Sequence, residues 1–152
     1  MSNTDQLPFF VYGTLRPGQG NYRRFLGGRT AQEVPALLDG HAVFDLGIPY
    51  VVECTAGATV VVGDLVFVAP QHYEDVLGDL DRLEGYNARR PGGHYERQAL
   101  PVRHQGAGGS EASALAWVYL AGAAVRARLV EACPVPGGDW VAASASRLCG
   151  RP

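Results

Sequence analysis

A glutamate closes a helical pattern in Leu80-Asp81-Arg82-Leu83-Glu84-Gly85, where the helix dipole's negative end and the orphan carbonyls make a carboxylate the wrong local choice. When exposed, the penalty is only about 0.3–1 kcal/mol. Glu84 is therefore either a solvated surface group or a residue kept against local preference for chemistry. Facing an apolar pocket, its anion would be disfavoured by burial and by the helix terminus together. Its pKa would then rise above the usual value of about 4.3, giving a general base usable near neutral pH. The second chemically suggestive run is Phe10 to Leu26, FVYGTLRPGQGNYRRFL, in which Gly13, Gly18 and Gly20 follow an apolar strand-like segment. Glycines at a strand end let a small molecule approach the backbone, and successive N–H groups in such a turn can cradle an anionic oxygen. A tight turn with no ligand is the other reading. Gly18-Gln19-Gly20-Asn21-Tyr22-Arg23 lacks the third glycine of a dinucleotide fingerprint and no GxxxxGK[ST] is present, which argues against a nucleotide site.

These residues need elements to hold them. Leu7 to Tyr12 reads as a buried strand stopped by Gly13, and Asn21 can cap a short helix, Tyr22 to Leu26, ending at Gly27-Gly28. Further strands are expected at Ala36 to Leu46, Pro49 to Glu53, Thr59 to Val68, His94 to Val102 and Ala112 to Leu120, about six in all. In Ala114 to Leu120 both alternating faces are apolar, which predicts a strand covered on both sides. Tyr73, Val76, Leu77, Leu80 and Leu83 share one helical stripe between Pro70 and Gly85. Ala123 to Cys133 is a further candidate helix, and the chain from about 134 is a weakly patterned tail. The expectation is an α+β fold: a compact, mostly antiparallel β-barrel of about six strands with a few helices, in one domain spanning 1–152.

Composition narrows the function. With 13 Lys+Arg against 15 Asp+Glu, a net charge of -2 and no basic block, nothing invites nucleic acid or an anionic membrane. A small-molecule ligand is the natural partner. The polar start Met1 to Gln6 has no basic region, and Leu7 to Val11 is too short for a signal or a membrane span, so a cytoplasmic protein is expected. Cys54, Cys133 and Cys149 are odd in number and widely spaced, indicating neither disulfides nor a zinc knuckle. His41, His72, His94 and His104 lack metal-ligand spacing, and no metal or cofactor is expected. Asp81, one helical turn before Glu84, is either half of a carboxylate pair or a helix and turn stabiliser.

Four motifs in order, VYGTLRPGQGN, Asp45-Leu46-Gly47 with Gly63-Asp64-Leu65-Val66-Phe67-Val68, LDRLEGY and Tyr95-Glu96-Arg97, resemble the gamma-glutamylcyclotransferase-like (AIG2-like, BtrG-like fold) family over most of the chain. The resemblance implies a pocket between the VYGTL loop and the glutamate. Tyr12, Gly13, Thr14 and Leu15 would hold a gamma-glutamyl group, Glu84 would accept and return a proton, and Tyr119 would contact the site from the last core strand. The implied reaction releases 5-oxoproline and a free amine from a gamma-glutamyl amine or peptide. A non-catalytic member that binds a gamma-glutamyl-like ligand is the alternative. Tyr95 and Arg97 are expected to serve the fold, although Arg97 could clamp a carboxylate bidentately. The Asp45 to Pro49 turn is expected to be a structural corner, and Tyr86 to Gly93 a loop at the pocket mouth that decides substrate identity. Tyr22 stands where family members often have histidine.

Overall fold

The computed structural model describes residues 6–54, 59–90, 92–129, 132 and 134–149. Seven strands occur among them: β1 (Phe9–Val11), β2 (Thr30–Asp39), β3 (His41–Asp45), β4 (Pro49–Glu53), β5 (Val60–Val68), β6 (Tyr95–Gln105) and β7 (Glu111–Ala121). Five of them close a barrel in the order β1-β5-β2-β6-β7, and β3 with β4 forms a separate two-stranded ribbon. All pairings are antiparallel except the closing one, where β1 runs parallel to β7 and Phe9 faces Trp117. The mixed α+β barrel expected from the sequence is thus present.

One expected strand is really two. Ala36 to Leu46 reads as one β segment, but at Gly40 the chain leaves the barrel and enters the ribbon. The backbone there is held by Gly40 N–H to Thr59 O at 3.0 Å and Cys54 N–H to Gly40 O at 2.8 Å. A local β signal reports that a segment is extended, not which sheet it joins.

Strand alternation divides the interior. Phe10, Leu38, Val61, Leu65, Val102, Ala116 and Val118 belong to one apolar cluster. Their neighbours Phe9, Val11, Val66, Tyr119 and Ala121 belong to a second, together with Tyr73, Val76 and Leu80. Strand β7 contributes to both, as its two apolar faces predict. The last three residues lie on helix α1 (Tyr73–Leu83), entered through a single turn at Pro70–His72. Each is at most 1% exposed, and burying such side chains stabilises by roughly 1.5–3 kcal/mol apiece. That stripe fixes which way α1 faces, and therefore where its last turn delivers Glu84.

Helix α2 (Ala123–Leu129) is shorter than Ala123 to Cys133; Cys133 and the side chain of Cys149 lie outside the described residues, and Cys54 is half-buried. The tail corrects the sequence reading more strongly. Trp140–Cys149 forms helix α3, started by Asp139, whose Oδ1 accepts the Ala142 N–H at 3.0 Å as an N-cap. Trp140 is buried in the barrel-side cluster and donates its Nε1–H to Asp45 Oδ1 at 3.1 Å. No helix among the described residues is long and apolar enough to cross a membrane.

Candidate active site

Helix α1 ends in a Schellman turn. Gly85 takes φ +69°, its N–H donates to Arg82 O at 3.2 Å, and the Tyr86 N–H donates to Asp81 O at 2.8 Å. An apolar contact often braces such a turn between the residue three before the cap and the residue two after it. Here Asp81 and Tyr86 occupy those positions, and Arg97 of β6 joins them. Its Nε and Nη2 donate to the two Asp81 carboxylate oxygens at 2.9 and 3.2 Å. The guanidinium lies 5.1 Å from the Tyr86 ring centroid and 4.3 Å from that of Trp117. Glu84 sits at the cap between these clamped residues.

Arg97 is thus spent on Asp81 rather than open to a substrate carboxylate, and Asp81 serves the turn rather than pairing with Glu84. Removing Arg97 leaves a part-buried carboxylate without its counter-ion. Arg97→Ala is expected to destabilise the fold by about 2–3 kcal/mol in urea unfolding. Arg97→Lys should recover less than half of that loss, because an ammonium supplies neither the fork nor the stacking plane. Full recovery by lysine would show that charge alone matters here.

A cavity of about 190 Å³ opens beside this turn, lined by Phe10, Val11, Tyr12, Gly13, Thr14, Leu15, Asn21, Ile48, Pro49, Leu83, Glu84, Tyr95 and Tyr119. All six residues expected at the site, Tyr12, Gly13, Thr14, Leu15, Glu84 and Tyr119, therefore line one cavity. Within the loop the Gly13 carbonyl accepts the Arg16 N–H at 3.0 Å and the Thr14 carbonyl accepts the Tyr22 N–H at 3.1 Å. The amides of Gly13, Thr14 and Leu15 donate to no described residue, which leaves three backbone donors uncommitted on residues that line the cavity. The loop is anchored from outside by Arg16, which donates to Asp64 Oδ2 at 2.8 Å and Asp139 Oδ1 at 3.0 Å.

Gly13 is fixed by contact. A Cβ there would lie 2.6 Å from Pro49 Cγ, so a side chain would wedge the ribbon away from the loop. Gly13→Ala is expected to lower stability by about 1–3 kcal/mol, measured as the urea midpoint, and Pro49→Ala in the same chain should restore part of it. If the double variant is as unstable as the two single losses added, the two residues do not share this contact.

Among the described residues the cavity holds one ionisable carboxyl among phenols. Glu84 is half-buried, and desolvation lifts its pKa from 4.5 to about 7. Burial first, then Tyr95 and Glu84, push the Tyr12 hydroxyl well above the ordinary tyrosine value. Burial and then Glu84 do the same to Tyr95, and burial and then the Asp81 hydrogen bond raise Tyr119. These phenols keep their protons and spend them on the protein. Tyr12 donates to the Tyr119 carbonyl, Tyr95 to Pro49 O at 2.7 Å, and Tyr119 to Asp81 Oδ1 at 2.7 Å. What each hydroxyl can still offer a ligand is a lone pair.

Several expectations change. Asn21 makes no side-chain cap for the turn Tyr22–Leu26, which is a π-helical turn closed by Gly27 N–H to Tyr22 O at 2.8 Å. Its Nδ2 donates instead to Thr14 Oγ1 at 2.8 Å, and it lines the cavity. Tyr22, at the position often histidine in the family, turns its hydroxyl to Glu33. Asp45 to Pro49 is a corner, with the Gly47 N–H donating to Asp45 Oδ1 at 3.0 Å, but Ile48 and Pro49 also form cavity wall. No described residue of Tyr86 to Gly93 lines it, because the Schellman turn closes immediately after Glu84 and Tyr86 is taken up under Arg97. Tyr95 was expected to serve the fold and does so through stacking on Tyr50, with centroids 4.7 Å apart, yet it also borders the cavity. The signal for Pro49 and Asn21 was there in the motifs, but their neighbours across the cavity are distant in sequence.

The family model for gamma-glutamyl cyclotransferase, AIG2-like, matches residues 9–142. No curated protein matches the chain. Among solved structures, YkqA from Bacillus subtilis is 19% identical with a TM-score of 0.61, covering 93% of this chain and 41% of that one, so this chain spans less than half its length. An AIG2-like protein from Mus musculus is 24% identical with a TM-score of 0.56, covering 77% and 78% of the two chains. A yeast gamma glutamyl cyclotransferase described as specific to glutathione is 12% identical with a TM-score of 0.54, covering 76% and 68%. At these identities the likeness is one of fold.

Proposed function

Because the chain belongs to the gamma-glutamyl cyclotransferase, AIG2-like family, we propose that it cleaves gamma-glutamyl compounds by intramolecular aminolysis, releasing 5-oxoproline and a free amine, with Glu84 as the proton carrier. The observation behind this reading is a carboxyl lifted to about 7 by burial, facing one cavity with a loop that has uncommitted amides.

The chemistry asks little of the protein. The substrate's alpha-amine attacks its own gamma-carbonyl carbon, a five-membered ring closes, and the bond to the leaving nitrogen breaks. Starting from the alpha-ammonium, two protons must travel from the attacking nitrogen to the leaving one. A single carboxylate can carry them in turn, accepting and then returning each. Its pKa near the operating pH suits both halves of that task. Holding the glutamyl chain folded supplies most of the remaining advantage through proximity. The amides of Gly13, Thr14 and Leu15 would receive the oxygen that becomes negative at the carbonyl carbon, or the alpha-carboxylate. The phenol oxygens of Tyr12, Tyr95 and Tyr119, their protons already donated, would accept from the alpha-ammonium.

The test is 5-oxoproline release from a panel of gamma-glutamyl amides and peptides, followed by mass spectrometry. Turnover is expected for at least one class. Saturable binding of the panel with no product after prolonged incubation would favour a non-catalytic, ligand-binding member.

A further inference from the structure

The cavity encloses too little space for a whole substrate. At about 190 Å³ it falls below the roughly 300–1,000 Å³ of a pocket that engulfs a drug-sized ligand. It can take a glutamyl group, while whatever hangs on the leaving nitrogen must cross the rim. Glu84 must reach that nitrogen to protonate it, so the substituent leaves past the residues flanking Glu84. The rim there is apolar. Among the described residues, three large hydrophobic side chains are exposed: Ile48 at 47%, Leu83 at 37% and Leu115 at 47%. Two of the three, Ile48 and Leu83, line this one cavity. Leu83 directly precedes Glu84, and Ile48 precedes the Pro49 ring that packs on Gly13.

Charge sharpens the point. Among the described residues no lysine, arginine or histidine lines the cavity, and Glu84 is the one charged group that does. Arg16 is paired with Asp64 and Asp139, Arg82 with Asp79, and Arg97 with Asp81. A leaving group carrying a carboxylate beside the scissile nitrogen, as any alpha-amino acid or peptide does, meets no cation in the lining and is brought towards the Glu84 carboxylate. An uncharged hydrocarbon in the same place covers two side chains that water otherwise wets.

Resting on the cyclotransferase reading, we infer that the leaving group is a primary amine with an apolar, uncharged substituent, selected by Ile48 and Leu83. Gamma-glutamyl-hexylamide is expected to show a kcat/KM at least tenfold above gamma-glutamyl-glycine. Ile48→Asn, at an exposed turn, and Leu83→Gln, at an exposed helix position, are each expected to reduce that preference several-fold, the scale on which small apolar contacts discriminate. Circular dichroism checks the fold of each, and two independent positions keep the test alive if one variant does not fold. Preference for gamma-glutamyl-glycine, or a hexylamide to glycine ratio unmoved in the folded variants, overturns the inference while leaving the cyclotransferase intact. No 5-oxoproline from any compound overturns the cyclotransferase reading and this inference with it.

Discussion

Glu84→Gln is expected to lower kcat/KM for 5-oxoproline release by about 10²–10⁴-fold, the range attributed to a positioned general acid–base. Glutamine keeps the side chain's size and an acceptor oxygen, so the Schellman turn and the cavity wall survive the change. What disappears is the capacity to take a proton from the alpha-ammonium and return it to the leaving nitrogen. The wild-type pH profile provides a second readout of the same group. The active form is the carboxylate, so kcat/KM should climb about tenfold per pH unit below about pH 7 and level off above, until other groups titrate. A glutamate with an ordinary surface pKa would place that limb near 4.5 instead. Substantial turnover by the glutamine variant would remove Glu84 from proton transfer, whatever the limb's position.

The site's two halves were legible in the sequence for different reasons. Glu84 stood out because it breaks a local rule, and the stripe Tyr73, Val76, Leu77, Leu80 and Leu83 already implied which face of α1 is buried, except at its end, where Leu83 is exposed. The loop stood out because Gly13 interrupts an apolar run. What the sequence hid depends on the closure of the barrel. Ile48 and Pro49 come from a ribbon that looks like a continuation of β2 until Gly40 diverts the chain. Arg97 pairs with Asp81 only because β6 lies beside the end of α1, a proximity that no local pattern encodes. The helix Trp140–Cys149 went unread because its alanines and serines show little amphipathic contrast, although Asp139 three residues before Ala142 is a capping signal of an ordinary kind. Local pattern thus gave the reactive groups, and tertiary packing supplied the rim that would choose among substrates.

The burial that readies Glu84 for chemistry should also weaken the fold as pH rises. In the folded chain the carboxyl holds its proton up to about pH 7, whereas an unshifted carboxyl loses it near 4.5. Between those values the folded state binds more protons than the unfolded state, so stability declines with increasing pH across that window. The favourable contribution is complete below about 4.5 and gone above about 7. At 1.36 kcal/mol per pH unit the effect has a ceiling of about 3 kcal/mol, and the partial exposure of Glu84 argues for about 1–3 kcal/mol in practice. Glu84→Gln removes the titration without removing the side chain. The variant and its parent should therefore be similarly stable near pH 4.5–5, and the variant more stable at pH 8 by that amount. Urea unfolding at the two pH values checks this. Comparing two proteins that differ at one residue cancels, to first order, the histidines and other groups that titrate over the same range. A variant that loses turnover and gains stability at pH 8 would mark Glu84 as held against the preference of the fold. Equal stability of the two proteins at pH 8 would mean that Glu84 ionises like an exposed carboxylate, and its assignment as a base poised near neutrality would lose its physical ground.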